Sequence, residues 1–149
     1  MFDAPHRVEF LLEGVAEAPL LVLDAPVSLW GGVDSLTGVV TEVGHPQQGC
    51  SLAGVLLVTE RTKGSTAGPG ALLELIARGC APLAVLLSEP DPVPLAASMA
   101  AQFAGHAPLP VAIISDTTRE ALRDQYLEDP RRSFVLDPTH ADRIRPRTW

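Results

Sequence analysis

Hydrophobic positions along this chain change their period about a third of the way in. Arg7 to Glu13 alternates, with Val8, Phe10 and Leu12 apolar and Arg7, Glu9 and Glu13 polar, which predicts a half-exposed strand. Leu20 to Leu23 is a second apolar run, stopped at Asp24-Ala25-Pro26, and Val27 to Trp30 reads as a short third strand. These runs need only turn-length connections, so hairpins are expected between them. Gly38 to Glu42 resembles a further strand. From Val55 the pattern becomes strand, loop, helix, strand. Val55 to Val58 is a continuous apolar run, and Ala71 to Ala77 places Leu72, Leu73, Leu75 and Ile76 on one broad helical face. Gly79 is positioned to end that helix, and Leu83 to Leu87 returns as a strand. This is the pattern of a parallel β-α-β crossover.

The remainder continues the alternation. Asp91 is placed to cap a helix from Pro92 to Phe103, with Pro92 at its first position. Leu109 to Ile114 reads as a strand, a helix capped by Asp116 or Thr117 runs to about Leu127, and Ser133 to Leu136 adds one strand. Asp137 to Trp149, rich in proline and charge, is expected to be irregular. The fold class is α/β, with a β-rich N-terminal half and an alternating second half. One domain is expected over 1–149, with 127–149 as a less regular C-terminal extension.

Charge narrows the partners. A formal net charge of -7 argues against a nucleic-acid footprint, which needs clustered positive charge. The late arginines, Arg131, Arg132, Arg143, Arg145 and Arg147, read as a solvated tail. No apolar run approaches the roughly 20 residues of a membrane span, and the N-terminus lacks a secretory pattern. Two cysteines, Cys50 and Cys80, have no CxxC spacing and are too few to build a metal site alone. A soluble cytoplasmic protein with free thiols is expected.

The loop from Arg61 to Gly70 is the best candidate for chemistry. It combines Arg61 and Lys63, the hydroxyls of Ser65 and Thr66, and glycine-rich backbone ahead of a helix N-terminus. Amides, helix dipole and Lys63 would together stabilise a carboxylate or phosphate. Spacing alone favours a simpler reading, a connection whose Ser and Thr cap the helix. GxxxxGK[ST] is absent, so it is not a P-loop. His45, a lone histidine before Pro46, reads first as a turn residue. Asp34, after Gly31-Gly32, could orient a substrate or stabilise a turn.

Several motifs in order change the weight of these readings. Ser28-Leu29-Trp30-Gly31-Gly32-Val33-Asp34, His45-Pro46 with Gly49, Ser51-Leu52-Ala53-Gly54, Lys63-Gly64-Ser65-Thr66, Leu72-Leu73-Glu74-Leu75, Gly79 and Ala81-Pro82 resemble the small subunit, or swivel domain, of the aconitase X enzymes. The resemblance covers Val27 to Ile114 and implies a swivelling β/β/α domain. It implies a large catalytic subunit as partner, with an iron or iron–sulfur centre held there and not on this chain. It implies a hydro-lyase acting on a small hydroxy acid; cis-3-hydroxy-L-proline is favoured over mevalonate 5-phosphate because the Ala/Pro-rich, arginine-favouring composition looks more bacterial than archaeal, and the mevalonate route resembles an archaeal speciality. A non-catalytic, anion-binding or regulatory swivel domain is the competing class. By the resemblance Ser65 is the catalytic base, Lys63, Gly64 and Thr66 bind substrate, and Asp34 and His45 are possible supporting residues. The family often carries arginine at the position of Lys63 and serine at that of Pro69. Lysine keeps the charge and loses the planar fork that grips a carboxylate at two points.

Overall fold

A single buried residue, Val8, separates the first two strands, yet these strands lie at opposite ends of the sheet. The computed structural model describes residues 4–64, 66–140 and 143–147. Strand β1 (His6–Arg7) pairs antiparallel with β8 (Arg143–Pro146), and β2 (Glu9–Leu12) pairs antiparallel with β6 (Val111–Ile113). Between them the order runs β1-β8-β7-β3-β4-β5-β6-β2, with β3 at Ala16–Val22, β4 at Leu56–Thr59, β5 at Ala84–Leu87 and β7 at Ser133–Asp137. One residue cannot span an open eight-stranded sheet, so the sheet curls until its two ends nearly meet. Strands β3, β4, β5 and β6 are mutually parallel, and β7 runs antiparallel to β3 and β8. Helices α1 (Gly68–Arg78), α2 (Pro92–Phe103) and α3 (Asp116–Glu128) follow β4, β5 and β6.

The parallel strands are covered on both faces, which explains why they read as unbroken apolar runs and not as alternation. Leu20, Val22, Leu56, Val58, Ala84 and Leu86 join a cluster with Leu122 of α3, Phe134 and Ile144. Their neighbours Leu21, Leu57, Val85 and Leu87 face the other way, into a cluster with Leu72 and Leu75 of α1 and Ala97 of α2. Gly79 ends α1 in a left-handed conformation (φ 73°), with its amide donating to the Ile76 carbonyl. Asp91 caps α2 by accepting from Val93 N, and Ser115 caps α3 by accepting from Thr118 N. The cap of α3 thus lies one residue before the expected Asp116 and two before Thr117.

Three expectations are corrected. The N-terminal strands do not form hairpins: β3 pairs with β4 and β7, and β2 with β6. Val27 to Trp30 and Gly38 to Glu42 are not strands. They belong to an excursion over residues 24–54 that is held by the isolated bridges Val33↔Val40, Val39↔Ser51 and Ser28↔Lys63. Val27, Leu29, Val33, Val40 and Leu52 of that excursion are buried against the sheet and helices, so alternation there records side-chain burial without a continuous ladder. The stretch after Asp137 is not irregular, because Arg143–Pro146 forms β8 between β7 and β1. Within the arginine-rich end, Arg147 pairs with Glu17 at 2.9 Å. Among the described residues, no helix is long and apolar enough to cross a membrane.

If the C-terminal strands are part of the core, Phe134→Ala should be costly. Phe134 is 1% exposed and stands opposite Ala18 on β3 and Pro146 on β8. A loss of about 3–5 kcal/mol is expected in denaturant unfolding. A loss below about 1 kcal/mol would mean that β7 and β8 are peripheral.

Candidate functional site

The site is set by where β4 and β5 end. Their register pairs Thr59 with Leu87, so the loops that follow, 60–67 and 88–91, emerge side by side at the carboxyl ends of two parallel strands. Open α/β sheets bind ligands at such ends. Backbone bonds continue the pairing past the ladder, from Ser88 N to Thr59 O at 3.2 Å and from Glu89 N to Glu60 O at 2.9 Å. Arg61 reaches Glu89 at 3.5 Å. The Glu60 carboxyl, hydrogen-bonded to Glu89, raises the Glu89 pKa above the ordinary carboxylate value.

The loop after β4 is anchored at Thr62 and Lys63. Thr62 donates from both its amide (2.7 Å) and its hydroxyl (2.6 Å) to Oδ2 of Asp91. Lys63 N donates to the Val27 carbonyl at 2.9 Å, tying the loop to the 24–54 excursion. Lys63 Nζ lies 2.7 Å from Oε2 of Glu42, whose Oε1 accepts from Ser28 N at 3.0 Å. Glu42 therefore joins two segments through one carboxylate. Its pKa is lowered, first by the Lys63 hydrogen bond and then by the Ser28 amide. Gly32 makes this approach possible: a Cβ there would stand 2.4 Å from the Ser28 carbonyl and 2.8 Å from Glu42 Oε1.

Beyond the loop, α1 begins with Ala67 at its N-cap, no side-chain cap and no acidic residue in its first turn. The first-turn dipole is therefore not offset by a carboxylate of its own. Pro69 sits in that turn, where its missing amide costs no helical bond. Gly68 is buried, and a Cβ there would meet Val93 of α2 at 3.1 Å. Gly64 and Thr66 are exposed on either side of position 65. Ser65 itself lies outside the described residues.

The two possible supporting residues are engaged in turns. Asp34 Oδ1 accepts from Leu36 N at 2.8 Å, and its carbonyl accepts from Thr37 N and Gly38 N. His45 is 6% exposed, with Nε2 donating to the Ala25 carbonyl at 2.8 Å and Nδ1 accepting from Gln47 N at 3.0 Å. Both imidazole nitrogens are thus used in holding the excursion together. The sequence reading passed over Glu42 and saw Asp91 only as a cap. Glu42 has no motif around it, but an acidic residue was to be sought wherever a lone lysine stands beside a glycine-rich loop. Among the described residues no three or more His, Cys, Asp or Glu side chains are grouped so as to hold a metal ion. The described donors of this chain therefore do not fit an iron or iron–sulfur centre.

A nearly closed sheet carrying a pinned, glycine-rich loop before a helix is the architecture of a swivel domain. The aconitase X swivel domain matches residues 5–128, and the chain belongs to this family. It is 40% identical over 107 residues to a cis-3-hydroxy-L-proline dehydratase of Pseudomonas aeruginosa, covering 71% of this chain and 18% of that protein. It is 41% identical over 88 residues to the phosphomevalonate dehydratase small subunit of Methanothrix thermoacetophila, covering 59% of this chain and 62% of that one. Both relatives thus extend well beyond the matched region. The fold superposes on aconitase X from Thermococcus kodakaraensis in its holo-form with a TM-score of 0.76 at 25% identity, over 97% of this chain and 99% of that chain.

The Glu42–Lys63–Ser28 junction makes a pH prediction. A carboxylate whose folded pKa is depressed below the usual 4.5 stabilises the fold above its unfolded pKa, and that contribution disappears as pH falls through the folded value. Thermal midpoints of the wild type should exceed those of Glu42→Gln at neutral pH. The gap should close on acidification below the ordinary carboxylate value of 4.5, as pH falls through the lowered folded value. A gap independent of pH would contradict the ionic role of Glu42.

Proposed function

We propose that this chain is the small subunit of a two-chain aconitase X-type hydro-lyase. In this reading it dehydrates cis-3-hydroxy-L-proline at a site shared with a large subunit. The observation that carries the proposal is the anchoring on both sides of position 65: Thr62 and Lys63 are held before it, and Gly68 is packed on α2 after it. A catalytic side chain works best when its neighbours are fixed. The longer match to the hydroxyproline dehydratase, 71% of this chain against 59% for the phosphomevalonate subunit, supports that substrate. The 41% identity to the latter keeps mevalonate 5-phosphate as the second reading.

Both compounds are hydroxy acids with the hydroxyl one carbon beyond the carbon that bears the carboxylate or its neighbouring proton. One anchoring chemistry therefore serves either. Lys63 has one ammonium hydrogen directed at Glu42 and two others with which to meet the substrate carboxylate, aided by the backbone at Gly64 and Thr66. Ser65 takes the proton from the carbon next to the carboxylate, the electron pair of that C–H bond forms the new double bond, and the hydroxyl departs from the adjacent carbon as hydroxide, which takes up a proton and leaves as water. A serine oxygen can accept that proton only as an alkoxide, which positive charge and amide donors stabilise. Asp34 and His45 support the reaction by holding the excursion in which Glu42 sits. The iron or iron–sulfur centre belongs, in this reading, to the large subunit.

Ser65→Ala in the assembled complex should lower turnover of cis-3-hydroxy-L-proline by about 10²–10⁴-fold without dissociating the subunits. Turnover within twofold of wild type would remove Ser65 from the reaction. Parallel assays with mevalonate 5-phosphate decide between the substrates.

A further inference from the structure

We infer that Asp91 is a positioning residue for the 60–67 loop, and not only the cap of α2; this rests on the dehydratase reading above. Asp91 is 9% exposed, and its carboxylate accepts from two structures at once. Oδ1 takes the Val93 amide at 3.0 Å and so starts the helix, while Oδ2 takes the Thr62 amide at 2.7 Å and the Thr62 hydroxyl at 2.6 Å. Capping alone needs one oxygen. The second oxygen is committed to a residue 29 positions earlier in the chain, three before Ser65.

The surroundings make Asp91 a fixed reference. Pro90 and Pro92 flank it and restrict the backbone on both sides. Val93, two residues on, packs where a Cβ on Gly68 would stand 3.1 Å away. The first turn of α2 therefore touches the loop before position 65 and the start of α1 after it. Charge-assisted hydrogen bonds to a buried carboxylate are short and directional, as observed here. A displacement of the loop by about 1 Å would be enough to cost on the order of 10²-fold in rate.

The test separates the two roles of the carboxylate in the assembled two-subunit complex. Asp91→Ser keeps an N-cap hydroxyl and removes the second acceptor. It should lower kcat on cis-3-hydroxy-L-proline by about 10–100-fold and leave KM within about threefold, because the base acts in the transition state. Hydrogen exchange should quicken in 62–68 and stay slow in 95–103. Thr62→Val, which loses only the hydroxyl contact, should fall between, and the double variant should be no slower than Asp91→Ser. A kcat within twofold of wild type, or unchanged exchange in 62–68, overturns the inference. If Asp91→Ser does not fold, full kcat in Thr62→Val overturns it. Ser65→Ala at wild-type turnover would instead remove the dehydratase reading, whatever Asp91 does to loop exchange.

Discussion

The parallel pairing of β4 with β5 is the constraint on which the site depends, because it delivers two loops to one edge with a fixed offset. That pairing is held by burial on both faces. Leu56, Val58, Ala84 and Leu86 are packed on one side, and Leu57, Val85 and Leu87 on the other, all 2% exposed or less. A slip of one residue would exchange these two sets and move Thr59 away from the Ser88 amide. The nearly closed sheet reinforces the register, since β1 and β2, joined through Val8, tie its two ends together.

On this rigid edge the loop is shaped by two carboxylates. Asp91 holds Thr62, and Glu42 holds Lys63 and Ser28. Both come from outside the strand–loop–helix unit, one from the start of α2 and one from the 24–54 excursion. The excursion thus has a reason to be folded without regular strands. Its bridges and buried side chains bring Glu42 to the loop, and His45 and Asp34 stabilise its turns. In a chain of net charge -7, the site keeps a lysine ahead of a helix with no acidic residue in its first turn.

The crossover from Val55 to Leu87 was legible because its signals are local: a continuous apolar run, helical spacing of leucines and a glycine stop. Asp91 with Pro92 was legible for the same reason. The early hairpins were misread because closeness in sequence says nothing of a sheet that curls to pair β2 with β6. The irregular tail was misread because Arg143 and Arg145 alternate with Ile144 and Pro146, and only the buried side of that short strand is apolar. Lys63 was visible as a cation beside a glycine-rich loop. Glu42 was not, because a tertiary ion pair spanning 21 residues leaves no periodic trace.

Turnover measured on the separate chains and on their mixture tests the central claim most directly. The account predicts dehydration of cis-3-hydroxy-L-proline only when this chain and its large-subunit partner are combined, rising to saturation as one is titrated with the other. Full activity from either chain alone would contradict a site built across two subunits.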